Sequence, residues 1–250
     1  MASRVPGILV IGTDFGVGKT VVAGGLAALW RRQGKRVGVF KPIAVGCARR
    51  VRLGLVSDDA ECLAYCAGTD LPLDVVNPIR YRRRVVPMVA AEESKTPIDF
   101  EALWRAFDQV RRASNVVIVE GVGGLLVPIE RKRLMADLAV EFGYPLLIVA
   151  HADLGAVNQI LLTVEAARAR DLSIAGVVLN DYDADSPSLA EETNPSALVR
   201  CARVPVPIAV PRDAKTNVKT GEIGAAVLDA LDRLTAKPKP PRKPRQVHGG

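Results

Sequence analysis

Short runs of apolar, largely β-branched residues return along the chain at Ile8–Ile11, Val37–Phe40, Val116–Val119, Leu146–Ala150, Ile174–Leu179 and Val206–Val210. Runs of this kind without a polar face are strands of a sheet covered on both sides. Between most of them apolar positions recur at helical spacing, which predicts helices over Lys19–Gln33, Asp59–Cys66, Asp99–Arg112, Leu134–Phe142, Gly155–Arg170 and Gly221–Leu234. Gly34 supplies the left-handed residue that stops the first helix, and Pro97 precedes the start of the third. Strand and helix in alternation predict an α/β fold, a mostly parallel sheet with helices on both faces. In such sheets ligands sit beyond the carboxyl ends of the strands, so chemistry is expected just after each apolar run. No internal repeat is visible.

Length changes the picture little: 250 residues fit one domain, expected over 1–236. Charge changes it more. The formal net charge is +7, but Lys237, Lys239, Arg242, Lys243 and Arg245 all lie in the terminal stretch KPKPPRKPRQVHGG, which leaves +2 for the rest. That Pro-rich basic segment, 237–250, reads as a disordered tail: a solvated terminus, or a contact for RNA or an anionic surface. Aromatic residues make up 4% of the chain, too few for a base-stacking platform, so nucleic acid is not an expected partner of the body. The longest apolar runs fall far short of the roughly 18–20 residues of a spanning helix, and Met1–Gly7 has no signal-peptide character. A cytoplasmic protein with no membrane partner is expected.

Cys47, Cys62, Cys66 and Cys201 form no C-x-x-C pair, and His151 and His248 are the only imidazoles. Structural zinc and Ser-His or Cys-His nucleophilic catalysis are therefore not expected. The first strand runs instead into Gly12-Thr13-Asp14-Phe15-Gly16-Val17-Gly18-Lys19-Thr20 and directly into a helix. This is a phosphate cradle. Backbone N–H groups at Gly16, Val17 and Gly18 and at the helix start point at phosphate oxygens, Lys19 adds a charge at the transferred group, and the Thr20 hydroxyl can ligate Mg²⁺. The fold class is thus P-loop NTPase-like, with ATP and Mg²⁺ as expected cofactors. Thr13 stands where the first Gly of the strict spacing belongs, and Asp14 where partition-type ATPases carry Lys.

Lys41-Pro42 follows the second strand and should reach the same mouth. One carboxylate is expected from Ser57-Asp58-Asp59-Ala60, through Asp58 or Asp59, and another from Glu120, which ends an apolar run before Gly121-Val122-Gly123-Gly124. Two carboxylates beside a polyphosphate suit an octahedral Mg²⁺ completed by water.

With Gly12–Thr20, Lys41-Pro42-Ile43, Ser57–Leu63, Val119–Pro128, Leu154–Asn158, Gly176–Asp181 and Thr193-Asn194-Pro195 in this order from residue 8 to about 212, the chain resembles the dethiobiotin synthetases. The resemblance implies that 7,8-diaminopelargonic acid takes up CO2 (or bicarbonate) as a carbamate, that ATP phosphorylates it, and that the second amine closes the ring. It implies phosphate contacts from Lys19 and the loop, Mg²⁺ on Thr20, Asp59 and Glu120, and Lys41 on the carbamate and the moving phosphoryl group. It further implies Asn180 and Pro211 at the adenine, and Val45, Pro87, Gly123 and Asn158 at the diamine. Asn158 would act across the interface of a homodimer.

Four positions depart from the family's usual wording: Phe15 and Val45 replace hydroxyl residues, and Met88 and Gln159 stand where His is frequent. All fall near the expected diamine side. A lost hydroxyl contact costs about 0.5–1.5 kcal/mol, so activity can survive each change. Two other readings stand beside the ligase: a nucleotide-dependent switch with altered or lost diamine chemistry, and a nucleic-acid-binding ATPase resting on the tail and on Arg80, Arg82, Arg83 and Arg84. That arginine run equally serves as a solvated rim or as a field that draws in anions.

Overall fold

The computed structural model describes residues 5–205 and 207–235. Six strands form one sheet: β1 (Gly7–Gly12), β2 (Val37–Phe40), β3 (Val116–Glu120), β4 (Leu146–His151), β5 (Ile174–Tyr182) and β6 (Ile208–Pro211). Their order is β6-β5-β4-β1-β3-β2, and every pairing is parallel. The expected mostly parallel sheet is therefore present, each strand within a few residues of its apolar run. The basic tail expected at 237–250, and the start of the last run at residue 206, lie outside the described residues.

Nine helices are described: α1 (Lys19–Arg32), α2 (Asp58–Ala67), α3 (Leu73–Val76), α4 (Pro87–Ser94), α5 (Phe100–Ala113), α6 (Met135–Phe142), α7 (Ala156–Arg168), α8 (Leu189–Ala202) and α9 (Ala225–Thr235). They divide between the faces because strand side chains alternate. Val10, Val37, Val39, Ile118, Leu147, Val149 and Val178 point to the side of α1, α2 and α9. Leu9, Ile11, Phe40, Val117, Val119, Leu146, Ile148 and Val177 point to the side of α5, α6, α7 and α8. Both faces are buried, which is why the strands show no polar alternation. None of the described helices is long and apolar enough to cross a membrane.

On the second face five rings, Phe142 among them, pack edge to tilted in one cluster. Its ring centre lies 4.9 Å from that of Phe107, 5.0 Å from Trp104 and 6.1 Å from Phe40, and Phe107 in turn meets Tyr144 at 6.2 Å.

Helix α8 was not expected from the pattern. It carries Pro195 in its interior, and a capping box starts it firmly: Ser188 Oγ accepts from the Glu191 N–H while Glu191 Oε2 accepts from the Ser188 N–H. Buried Asn194 then donates from Nδ2 to the Asp153 carbonyl at 2.7 Å, tying α8 to the loop after β4. Tertiary contact and the cap here offset the helix-breaking tendency of Pro195.

Truncating Phe142 to Ala should cost about 3–5 kcal/mol, the usual loss for a wholly buried ring. Urea unfolding followed by the emission of Trp104 measures it; a loss below about 1 kcal/mol would show that the ring cluster collapses without it.

Candidate functional site

The loop from β1 to α1 is fixed from three sides. The Gly12 N–H donates to the Gly123 carbonyl (3.1 Å) and the Thr13 N–H to that of Val149 (2.9 Å), so the loop springs from the carboxyl ends of neighbouring strands. Gly16 and Gly18 turn through φ of 78° and 93°, which side chains other than Gly rarely adopt. A Cβ on Gly18 would lie 2.0 Å from Asn180 Nδ2, the amide that donates to the Val17 carbonyl at 3.2 Å. Asn180, buried at the end of β5, thus braces the back of the loop. Helix α1 has no side-chain cap and no acid in its first turn, which leaves its first N–H groups to an anion. Lys19 Nζ donates to the Asp14 carbonyl of its own loop at 2.8 Å.

Four segments then bring together a chain of charges. Lys41, buried just after β2, is held by its backbone: its N–H donates to the Val76 carbonyl (2.8 Å), and its carbonyl accepts from Asn77 Nδ2 (2.6 Å). Its ammonium pairs with Asp59 Oδ2 at 2.9 Å and closely with Glu120 Oε1. Thr20 Oγ1 donates to the same Glu120 oxygen at 3.0 Å. Glu120 is completely buried, and its other oxygen, Oε2, has no hydrogen-bond partner. Burial pulls the Lys41 ammonium down, but Asp59 and Glu120 outweigh it and hold the group above the ordinary lysine range. Lys41 in turn draws Asp59 below the usual carboxylate range, while burial pushes Glu120 up against that pull. Burial, then repulsion from Lys41, lowers Lys19 to about 8.

These groups open into a cleft of ≈ 480 Å³. Of the residues expected there, Gly16, Gly18, Lys19, Thr20, Lys41, Val45, Asp59, Glu120 and Gly123 line it, as does Phe15. Both aspartates border the cleft but face different cations: Asp59 turns to Lys41, whereas Asp58 pairs with Arg50 Nη2 at 3.2 Å. Pro87 is buried at the first turn of α4 and Asn158 is exposed on α7; neither lines the cleft in this single chain. Asn180 lies behind the loop, and Pro211 pairs with Tyr182 at the strand ends beyond it. Met88 lines a separate groove with Ile98 and Ile129. Gln159 accepts a hydrogen bond from Thr13 Oγ1 at 3.2 Å, which places it against the phosphate loop. Arg84 and Lys219 line the cleft without having been singled out; nothing local in the sequence separates Arg84 from its neighbouring arginines. A larger cavity of ≈ 650 Å³, beside the far end of α1 and lined by Arg31, Tyr65, Cys66 and Glu222, shares none of these charge pairs.

For Mg²⁺ the donor set fits: hard oxygens of Thr20, Asp59 and Glu120 converge, and one Glu120 oxygen is buried without a partner. Among the described residues, this cleft included, no group of three or more His, Cys, Asp or Glu gathers, so the protein offers two carboxylates and a hydroxyl here.

A family model described as an AAA domain matches residues 6–220. An ATP-dependent dethiobiotin synthetase of Thermodesulfovibrio yellowstonii is 34% identical over 206 residues, 80% of this chain and 85% of that one. The enzyme of the same name from Haloferax mediterranei is 35% identical over 230 residues, 90% and 94% of the two chains. That of Bacillus subtilis strain 168 is 33% identical over 214 residues, 86% and 90%. Among solved structures, an ATP complex of Cyanothece McdA superposes with a TM-score of 0.57 at 14% identity, covering 94% of this chain and 96% of that one. The Aquifex aeolicus MinC:MinD complex gives 0.56 at 15% identity, covering 95% and 98%. These two show the fold alone.

Replacing Lys41 with Met should destabilise the protein by about 3–5 kcal/mol at pH 8, because Glu120 is left buried and uncompensated. Without the cation, the folded carboxyl titrates well above its unfolded value, so the folded state holds the extra proton and stability falls as pH rises. The deficit should therefore be small near pH 4.5 and grow toward pH 8, and adding Glu120→Gln should flatten it. Urea titrations at four pH values read this directly.

Proposed function

Because the chain belongs to the dethiobiotin synthetases, P-loop enzymes that are ATP-dependent ligases, we propose that it converts 7,8-diaminopelargonic acid, CO2 and ATP into dethiobiotin, ADP and phosphate. One amine adds to CO2, forming an N–C bond and releasing a proton. A carbamate oxygen then takes the γ-phosphoryl group, breaking its bond to ADP. The second amine attacks the carbamoyl carbon, a second N–C bond forms, and phosphate leaves. The observation that carries the reading is the Lys41 ammonium held between Asp59 and Glu120 in the same cleft as the phosphate loop.

In this chemistry the protein positions and neutralises; it supplies no nucleophile of its own. The N–H groups at Gly16, Val17 and Gly18 and the Lys19 charge hold the phosphates. Thr20, Asp59 and Glu120 hold Mg²⁺, which when bound neutralises charge on the phosphates. Lys41, kept protonated by its two carboxylates, lends positive charge where the carbamate oxygen meets the phosphoryl group. Val45 and Gly123 border the diamine. Asn180 supports the loop from behind and, with Pro211, lies on the adenine side. Asn158, exposed and outside the cleft of its own chain, serves the site of a partner copy in a homodimer. Among the rival readings, a switch has no use for a buried cation beyond the phosphate loop, which favours the ligase.

Purified protein with Mg-ATP, bicarbonate and diaminopelargonate should release phosphate and dethiobiotin in equal amounts, followed by phosphate assay and mass spectrometry. Lys41→Ala should lower kcat by at least about 100-fold, the scale of a lost preorganised charge. Phosphate release without dethiobiotin in the parent would overturn the reading in favour of a switch.

The lowered Lys19 adds a pH signature. Phosphate favours the cationic lysine, so above pH 8 binding must take up a proton, and the affinity for ATP should fall by up to about tenfold per pH unit. Below pH 8 it should be flat. Calorimetry in two buffers of different ionisation heat detects the proton, and Lys19→Met should abolish the dependence.

A further inference from the structure

Arg84 is a cleft residue with no assigned part. It follows the strand Ile79–Arg80, which pairs with Ile43–Ala44, and the two segments continue side by side: the Cys47 N–H donates to the Tyr81 carbonyl (2.9 Å) and the Gly46 N–H to that of Arg83 (3.1 Å). Gly46 has φ of 75°, and a Cβ there would sit 3.4 Å from both Cβ and Cγ of Arg84. The Arg84 stem is thereby laid against the backbone that carries Val45, five residues or fewer from Lys41, in the wall of the cleft. Most other charges in the cleft have partners: Asp59 and Glu120 hold Lys41, Asp58 holds Arg50, and Lys19 donates to the Asp14 backbone carbonyl, whereas Lys219 at the rim makes no ion pair among the described residues. The Arg84 guanidinium makes no ion pair among the described residues, while Arg80, four positions earlier, is paired with Asp74.

We propose that Arg84 is a specificity-determining residue that binds an oxyanion of the amine substrate. This rests on the ligase reading above. A planar guanidinium matches a carboxylate-type group through two parallel hydrogen bonds, and a cation on this wall repels a bare diammonium chain unless an anionic group comes with it. The substrate offers two such groups of the same chemistry, the carbamate formed from CO2 and the terminal carboxylate. Val45, on the segment against which Arg84 lies, is apolar and offers no hydrogen bond there, which leaves the guanidinium as the polar group of that segment.

The test compares Arg84→Gln with the parent in steady-state assays that vary bicarbonate, diamine and ATP separately, using both diaminopelargonate and the same diamine lacking its carboxylate. Arg84→Gln should raise one substrate constant 10- to 100-fold and leave the KM for ATP within twofold. A rise in the bicarbonate constant that persists with the decarboxylated diamine assigns the carbamate. A rise in the diamine constant that vanishes with that analogue assigns the carboxylate. Arg82→Gln, which removes an equal charge from outside the cleft, should change each constant less than twofold at 0.15 M salt, where long-range steering is screened. Equal effects of the two variants, a rise in the KM for ATP alone, or no change would overturn the proposal. Should the parent make no dethiobiotin, the ligase reading fails by itself. Calorimetric titration of diaminopelargonate into protein loaded with Mg²⁺ and a non-hydrolysable ATP analogue, in bicarbonate, then still compares Arg84→Gln with the parent; unchanged affinity counts against Arg84.

Discussion

A carboxylate taken wholly out of water at the end of a central strand needs a cation, and Glu120 has Lys41. Much of the arrangement follows from satisfying that pair. Lys41 must leave β2 at a fixed angle, and the Val76 and Asn77 contacts on its backbone provide it. Asp59 must arrive from outside, and Ser57 starts α2 so that its first turn faces the ammonium, its side chain accepting from the Ala60 N–H. Thr20 reaches Glu120 from the second position of α1, which starts directly after Gly18, a cap in the left-handed region. A buried pair of this kind contributes little net stability, since desolvation offsets much of the attraction. Its value lies in position: each partner is costly to move once the others are set.

The sheet supplies the frame. β1, β3 and β2 lie side by side and parallel, so the phosphate loop, Glu120 and Lys41 all emerge at the same edge. The helices on either face keep that edge free of secondary structure while burying both sides of the strands.

Much of this was legible in the sequence, for physical reasons that differ from residue to residue. Strands buried on both faces must be apolar throughout, and they announced themselves. Gly16, Gly18, Lys19 and Thr20 encode backbone angles and chemistry within nine residues, and the site carboxylates stand at a helix start and a strand end, where position implies exposure to a ligand. Helix α8 was not legible, because Pro195 breaks its helical pattern and what holds it is the capping box of Ser188 and the long-range bond of Asn194. Asn180 was legible as a residue of the strand ends, but its contact with Val17 depends on the missing side chain of Gly18, a pairing across more than 160 positions. Arg84 was legible only as one arginine among several. What selects it is the pairing of residues 43–47 with 79–84, and periodicity carries no trace of that register.

The strand order also shapes how the chain is made. Thr20, Lys41, Asp59 and Glu120 all belong to the first 120 residues, so a nascent chain can gather them, with β1, β3 and β2, while its second half is still in the ribosome. In that state β1 is a border strand: its other side pairs with β4, which begins only at Leu146. GILVIG, apolar and without a charge, is then an open template for another chain, the condition under which partly made parallel sheets aggregate. Synthesis at about 5–20 residues per second brings β4 out within a few seconds. The residues between β3 and β4 therefore set a time limit, and lengthening that connection would extend the exposure of β1 without altering the finished fold.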